Sequence, residues 1–247
     1  MKSTLESGIR LAFLSDIHAN FPALCGAVQS GERMGASYMC VAGDIVGRGP
    51  HPNEVIHFLS DLGIAAIRGN LDAKVLALRD KPQKARKLVK QKHSAAAWTA
   101  LQLGSSEWEY LASLPEELNL DFNGLRFQIV HGSPLGNTDY VYPSVTLAGL
   151  RSKQAEGNAP DVLVCGHSHV PFIKKVGGVR VINCGSVGLP IDGDPRGSYA
   201  VFDVAPNTSG RGRIVRFAYP VENVVSDLHS RGVVGTTESY FTRGVGE

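Results

Sequence analysis

The stretch IRLAFLSDIHAN, at residues 9–20, joins a short apolar run to side chains that can bind metal ions. Residues 9–14 are mostly apolar, as in the strands of a parallel sheet that is covered on both faces. Asp16 and His18 follow this run directly. Ligand sites in open α/β sheets lie outside the carboxyl ends of the strands. The stretch therefore predicts a first strand that ends in a functional site.

The next segments alternate between helix and strand patterns. Residues 21–31 and 52–62 favour helices, the first stopped by a glycine and the second with proline in its first turn. Residues 38–42 and 64–67 favour strands. A βαβαβ order implies a parallel sheet with right-handed crossovers.

The second half of the chain is richer in strands. Residues 73–114 favour two or three helices, broken near Pro82 and Gly104. Strands are predicted at 118–122, 125–130, 162–165, 172–176, 179–183, 199–204 and 213–219, followed by a helix at 221–230 and a frayed glycine-rich tail. We expect one α/β domain over residues 1–247, with two packed mixed sheets between helices and a helical cap at about 73–114.

The composition limits the classes of binding partner and the cellular location that we expect for this protein. The 247 residues carry 25 basic and 23 acidic side chains, and this near-neutral balance argues against nucleic acid as a dedicated partner. No apolar run approaches the roughly 18 residues of a membrane span. The apolar run at 11–14 is too short for a signal peptide, so we expect a cytoplasmic protein. The four cysteines form no Cys-x-x-Cys pair and favour buried thiols over a zinc site.

Five segments place carboxylate, imidazole or amide side chains at predicted strand ends. These candidate metal ligands are Asp16, His18, Asp44, Asn70, His131, His167 and His169. Their donor atoms suit two ions of Mn, Fe, Zn or Ni, provided that a carboxylate bridges. Such a pair, about 3.5–4 Å apart, grips a phosphoryl oxygen and generates a bridging hydroxide as nucleophile.

The motifs DIH, GDIVGRG, GNLD, HGSP and GHSH resemble those of the calcineurin-like metallophosphoesterases over residues 9 to about 205. The bacterial branch of small phosphodiesterases and diadenosine-tetraphosphatase-related proteins is the most similar, and residues 182–190 and 193–200 also resemble it. The resemblance implies a four-layer α/β/β/α sandwich and two divalent metal ions, with manganese preferred. It assigns Asp16, His18 and His169 to one ion and Asn70, His131 and His167 to the other, with Asp44 as the bridge.

Two positions depart from the family pattern. Leu71 stands where much of the family has a histidine that protonates the leaving group, and Gly47 stands where the phosphatase branch has the supporting Asp. Asp72 is expected to be exposed and ionised. Arg48 is retained and is predicted to bind phosphate rather than to form a surface ion pair. Arg196, in the loop at 193–197, is a second candidate for contact with the substrate.

The resulting prediction is a metal-dependent hydrolase of a small phosphorylated substrate, a phosphodiester or a phosphoanhydride. Asp44, His131 and Arg48 are the predicted catalytic residues, while Arg48, Asn70 and Arg196 contact the substrate. A phosphoprotein phosphatase, a nuclease and a non-catalytic scaffold remain as alternatives, and a homo-oligomer stays open. The basic side chains at 79–92 are interpreted as a solvated helix face rather than a surface that steers anions.

Overall fold

Ten strands form two sheets in the part of the chain that the structure, a computed structural model, describes: residues 8–153, 159–205 and 210–246. In chain order they are β1 (Ile9–Leu14), β2 (Tyr38–Val41), β3 (Ala65–Ala66), β4 (Glu117–Phe122), β5 (Leu125–Val130), β6 (Val162–Cys165), β7 (Phe172–Val176), β8 (Val179–Asn183), β9 (Gly197–Val204) and β10 (Arg211–Phe217). The predicted bounds of the domain, 1–247, also include residues outside these ranges.

Both sheets are five-stranded and mixed. The first has the order β10-β9-β1-β2-β3, with β1, β2 and β3 parallel and β9 antiparallel to β1. Phe13 lies opposite Cys40 on β2 and Ala200 on β9. The second has the order β4-β5-β6-β8-β7, with β5, β6 and β8 parallel. The parallel strands of each sheet therefore place several carboxyl ends at one edge.

The helices follow the predicted alternation in the first half. They are α1 (Phe21–Arg33), α2 (Pro52–Asp61), α3 (Asn70–Leu76), α4 (Pro82–Lys92), α5 (Ala95–Ala100), α6 (Ser105–Ser113), α7 (Leu147–Arg151), α8 (Val221–Ser230) and α9 (Ser239–Thr242). The side chain of Asn20 caps α1 by accepting from Ala23 N at 3.1 Å. In the described residues no helix is long and apolar enough to cross a membrane.

The four layers follow from the alternation of side chains along β1. Leu11 and Phe13 face the second sheet and pack with Phe127 and Ile182, whereas Ala12 and Leu14 face the helices on the other side. Side chains on the outer face of the second sheet form a further apolar cluster, which includes Leu150 of α7. This arrangement confirms the predicted α/β/β/α sandwich of mixed sheets.

Two local predictions need correction. The helical region has a third break besides those at Pro82 and Gly104, because His93 adopts a left-handed conformation (φ 44°) and Ser94 starts a new helix by capping Ala97 N. The tail beyond 230 is not frayed over residues 231–246. Its α9 inserts Phe241, which is fully buried, into the core beside the helices, and this apolar anchor fixes the segment.

Candidate metal centre

The predicted ligands meet at the carboxyl ends of strands from both sheets. Asp16 and His18 follow β1, Asp44 follows β2, Asn70 opens α3 after β3, His131 follows β5, and His167 and His169 follow β6. All seven are buried except His167, which is partly exposed. The structure therefore brings together every residue that the sequence assigned to metal binding, although they come from five separate segments.

The backbone at these strand ends is held in an uncommon conformation. Eight non-glycine residues in the described part of the chain have positive φ, and five of them are candidate ligands: Asp16, His18, Asp44, His167 and His169. Each such conformation costs on the order of 1–3 kcal/mol, and these cluster at functional sites. Hydrogen bonds between loops stabilise them, including Asp16 N to Gly43 O at 3.0 Å and His18 N to Asp44 O at 2.9 Å.

Glycines allow the loops to approach this closely. Gly43 has φ 88°, and a Cβ there would lie 2.7 Å from the Nδ1 atom of His131. Gly166 has an ordinary φ, but its Cβ would lie 1.9 Å from Ser15 Oγ and 2.4 Å from Asp16 Oδ2. The first glycine supplies the turn and the second supplies the space beside a ligand.

The first cluster consists of Asp16, His18 and His169, whose ligand atoms lie within 4.8 Å of one another. The Nε2 atom of His169 is 3.1 Å from both Asp16 Oδ1 and His18 Nε2. His169 Nδ1 faces the carbonyl of Leu189 at 2.5 Å. Donation to that carbonyl leaves the Nε2 lone pair free for a metal. Asp16 Oδ2 accepts from Ser15 Oγ and His167 N, so Oδ1 is its available ligand atom.

The second cluster consists of Asp44, His131 and His167. Nδ1 of His131 faces Ala42 O at 2.8 Å, which orients Nε2 into the site. That Nε2 lies 3.0 Å from Asn70 Oδ1 and 3.4 Å from Asp44 Oδ1. Asn70 therefore joins this cluster as a neutral oxygen donor, in the place that the sequence predicted.

The carboxylate of Asp44 faces both clusters. Its Oδ1 lies 3.4 Å from His131 Nε2, and its Oδ2 lies 3.9 Å from His18 Nε2. Oδ1 also accepts from Leu71 N at 2.8 Å. Each oxygen of the Asp44 carboxylate therefore faces a different cluster.

Charge is concentrated among these buried groups. Burial alone would raise the pKa of Asp16, but the charges of His169 and His131 hold that pKa well below its usual range. Burial would lower the pKa of His131, but Asp44 and Asp16 raise it to about 10. The two carboxylates therefore stabilise positive charge on the groups around them.

The donor set fits divalent metal ions. Asp16 Oδ1 and His167 Nε2 are buried and make no hydrogen bond in the structure. An unsatisfied buried polar atom costs about 1–3 kcal/mol, and coordination removes this cost. Carboxylate and neutral imidazole are the ligands that Mn, Fe and Zn accept together.

Asp72 supports the site from beneath, contrary to the expectation that it is exposed and ionised. It is fully buried and accepts from Ile45 N at 3.2 Å, Val46 N at 3.0 Å and Gly69 N at 2.8 Å. Burial, followed by the charge of Asp44, raises the pKa of Asp72 to about 7. The expectation was wrong because Asp72 is the third residue of α3 and turns back under the preceding loop.

A cavity of about 310 Å³ opens above the two clusters. Its lining includes five of the seven candidate ligands together with Arg48, Leu71, Lys74, Tyr140, Tyr142, Ser168, Leu189, Ile191 and Tyr240. Arg48 donates to Gly235 O at 3.1 Å, and its guanidinium lies 5.8 Å from the ring centroid of Tyr240. Arg48 therefore lines the cavity while its guanidinium contacts Gly235 and Tyr240, and its contact with substrate stays a prediction.

Arg196 lies elsewhere. Its guanidinium pairs with Asp194, with Nη2 2.7 Å from Oδ2, and the side chain is 57% exposed. It is not among the residues that line the cavity, so its predicted contact with substrate has no geometric support.

The basic side chains at 79–92 are all exposed, and none of them lines the cavity. Of the predicted cap at 73–114, only Lys74 reaches the cavity.

Several lining residues were not predicted, and four of them carry a charge or an aromatic ring: Lys74, Tyr140, Tyr142 and Tyr240. Lys74 lies four residues after Asn70 in α3, and this spacing places both on one face of the helix. Tyr140 and Tyr142 flank the buried Val141, an alternation that is visible in the sequence. Tyr240 comes from the C-terminal segment, and no local pattern connects it with the site.

Comparisons with known proteins agree with this geometry. The calcineurin-like phosphoesterase superfamily domain matches residues 9–207. The uncharacterized protein MJ0912 of Methanocaldococcus jannaschii is 28% identical over 88% of this chain and 91% of its own length. The phosphodiesterase YfcE of Escherichia coli K12 is 25% identical over 79% of this chain and 88% of its own. A metallophosphoesterase from Sphaerobacter thermophilus superimposes with a TM-score of 0.78 at 26% identity, covering 97% of this chain and 100% of that one.

The family match spans the strands β1 to β9 and every candidate ligand, and it confirms the resemblance that the five motifs indicated. With two buried clusters of metal-binding side chains at the strand ends, the chain belongs to the calcineurin-like phosphoesterase superfamily and is a metal-dependent phosphoesterase.

Proposed function

We propose that the chain hydrolyses small phosphodiesters or phosphoanhydrides with two divalent metal ions, manganese being the preferred metal. The position of Asp44 carries the proposal, because its two oxygens face His131 and His18 in different clusters. The two clusters around Asp44 would hold the ions, which would polarise a phosphoryl oxygen and make water nucleophilic at neutral pH.

The side chains around the clusters supply binding and orientation. Arg48 and Lys74 both line the cavity, and two cations there favour a phosphate group that carries negative charge. His131 and Asn70 lie 3.0 Å apart and hold the side of the site next to Asp44. The cavity of about 310 Å³ is at the small end of the roughly 300–1,000 Å³ range for small-molecule sites, which favours a small substrate over a phosphoprotein.

Leu71 sets the preference for a leaving group. It lines the cavity where a histidine would donate a proton to the departing oxygen, and its side chain has no proton to give. Asp72 cannot replace it, because its carboxylate is buried against three backbone N–H groups. We therefore expect aryl esters and phosphoanhydrides to be better substrates than alkyl esters.

Metal content and turnover together test the proposal. Purified protein stripped of metal and reloaded with Mn(II) should approach two equivalents per chain and should then hydrolyse bis-p-nitrophenyl phosphate. Metal-free protein is the control. A plateau at one equivalent or fewer would overturn the dinuclear assignment.

A substrate panel separates the alternatives. A phosphoserine peptide tests for a phosphoprotein phosphatase, single-stranded DNA tests for a nuclease, and a nucleoside polyphosphate tests for phosphoanhydride hydrolysis. Metal-loaded protein that turns over none of them would support a non-catalytic scaffold. The cytoplasmic location stays a prediction from the sequence, and a homo-oligomer stays open.

A further inference from the structure

A row of aromatic rings leads away from the second cluster. Tyr140 stacks on His167, with ring centroids 4.2 Å apart and planes inclined by 24°. Tyr142 stacks on Tyr140, with centroids 5.4 Å apart and planes inclined by 10°. All three side chains line the cavity, so a nearly parallel set of rings connects a candidate metal ligand with the cavity mouth.

These rings leave apolar surface exposed at the mouth. Six large hydrophobic side chains are exposed among the described residues. Three of them line this cavity: Tyr140 and Tyr142, each 45% exposed, and Ile191, 40% exposed. Apolar surface that collects at the opening of a functional site indicates contact with a ligand.

The loop that carries the rings is anchored from below. Val141, between the two tyrosines, is buried, and its carbonyl accepts from Asn183 Nδ2 at 3.4 Å. Lys174 Nζ donates to Pro143 O and Val145 O, each at 3.0 Å. The rings are therefore held in place before any ligand arrives, which lowers the entropic cost of stacking.

We propose that Tyr142, backed by the stacked ring of Tyr140, forms a stacking subsite for the nucleobase of a nucleoside phosphate ester or anhydride. This inference rests on the proposed function, because it places the phosphate at the metal clusters beside Arg48 and Lys74. Aromatic side chains stack on any base through its π face. The subsite thus makes a nucleotide, rather than a sugar phosphate, the substrate class of this enzyme.

The spacing favours a nucleobase over a simple phenyl group. The ring of Tyr142 is the second step from His167, after centroid distances of 4.2 and 5.4 Å. A group stacked on Tyr142 therefore needs a spacer between its ring and the phosphate. Ribose supplies that spacer, whereas the ring of a phenyl phosphate is bonded directly to the phosphate oxygen.

Binding of three phosphonates to the Mn(II)-loaded protein tests the subsite. The probes are the non-hydrolysable phosphonate analogues of AMP, ribose 5-phosphate and phenyl phosphate, measured by titration calorimetry. We expect the AMP analogue to bind at least about fivefold more tightly than the ribose analogue, the lower end of the contribution of one stacked base. Equal affinities, or tightest binding of the phenyl analogue, would overturn the proposal.

Variants assign the difference to the ring. Tyr142→Phe should keep the preference for the AMP analogue, whereas Tyr142→Ala and Tyr142→Leu should remove it, since leucine keeps apolar bulk without a π face. Leu62→Ala is the control, because Leu62 is also exposed but lies outside the cavity. A preference that survives in both Tyr142→Ala and Tyr142→Leu would place the base elsewhere.

The outcome is independent of turnover, because phosphonates are not hydrolysed. Protein that hydrolyses bis-p-nitrophenyl phosphate yet binds the AMP and ribose analogues equally would retain the proposed function and lose the subsite. Protein that prefers the AMP analogue but hydrolyses nothing would retain the subsite and lose the proposed function.

Discussion

The floor of the cavity and its rim are built differently. The floor is formed by the seven candidate ligands, five of which line the cavity directly; six are buried and His167 is partly exposed. The rim consists of Arg48, Lys74, Tyr140, Tyr142 and Tyr240, which are partly or largely exposed. Strand-end loops joined by hydrogen bonds fix the floor, whereas the rim residues come from loops, a helix face and the C-terminal segment.

This difference divides the chemistry between two regions. A ligand set with several residues at positive φ tolerates little change, because each position depends on contacts with the neighbouring loops. Rim side chains project into the cavity with few partners, and a substitution there alters the substrate contact without moving the ligands. We therefore expect floor variants to lose metal and turnover together and rim variants to lose turnover while retaining metal.

The largest effect is expected at Asp44, which faces both clusters. Asp44→Asn removes a charge and weakens the bridge, so turnover should fall more than the roughly 10–100-fold that a supporting outer residue costs, on the order of 1,000-fold. His18→Ala should cost less, since His18 belongs to one cluster. Turnover of bis-p-nitrophenyl phosphate and metal content measure this effect.

Asp203→Asn is the matched control for Asp44→Asn. Asp203 pairs with Arg10 far from the cavity, and both side chains are partly exposed; an ion pair in contact with solvent contributes about 1 kcal/mol or less. Near-normal turnover in Asp44→Asn, with both metal ions still bound, would show that Asp44 does not bridge and would remove the distinction between floor and rim.

Arg48 tests the rim. If its guanidinium binds the substrate phosphate, Arg48→Ala should cost about 1.5–3 kcal/mol, the scale of a hydrogen bond to a charged group, and therefore about 10–150-fold in kcat/KM. The metal content should not change. Arg196→Ala is the control, because Arg196 pairs with Asp194 outside the cavity. A comparable loss in Arg196→Ala would restore the role that the sequence suggested for it.

Asp72 tests whether the floor depends on its buried support. Asp72→Asn leaves one oxygen to face three backbone N–H groups, so at least one donor becomes unsatisfied, at a cost of about 1–3 kcal/mol. The substitution also removes the negative charge of Asp72, which Asp44 repels, and this offsets part of the cost. We expect the free energy of unfolding in urea to fall by about 1–2 kcal/mol and turnover to fall by about tenfold. Unchanged stability and metal affinity would mean that the loop holds its shape without Asp72.

The sequence located the residues that form the floor but few of those that form the rim, for a physical reason. Ligands such as Asp16 and His167 follow apolar strands directly, and parallel strand ends must meet at one edge, so local pattern determined their placement. Tyr240 reaches the cavity because Phe241 is anchored in the core, and this packing joins segments far apart in the chain. Asp72 was misplaced because its burial depends on the loop that contains Ile45.

The smallest effect is expected at Leu71. Alkoxide departure needs a general acid, which typically contributes about 10²–10⁴-fold, so turnover in the unmodified protein should fall steeply as the basicity of the leaving group rises. Leu71→His should flatten that dependence only slightly, by less than about tenfold for an alkyl ester. The reason is geometric: a Cβ at Gly47 would lie 2.9 Å from the Cβ of Leu71, and Gly47 has φ 115°. A supporting aspartate at 47 would collide and be strained, so the new imidazole would lack the partner that orients it.

Rates for a series of substituted phenyl and alkyl esters measure the slope. A flat dependence before substitution, with the chemical step rate-limiting, would show that another rim or floor residue already donates the proton.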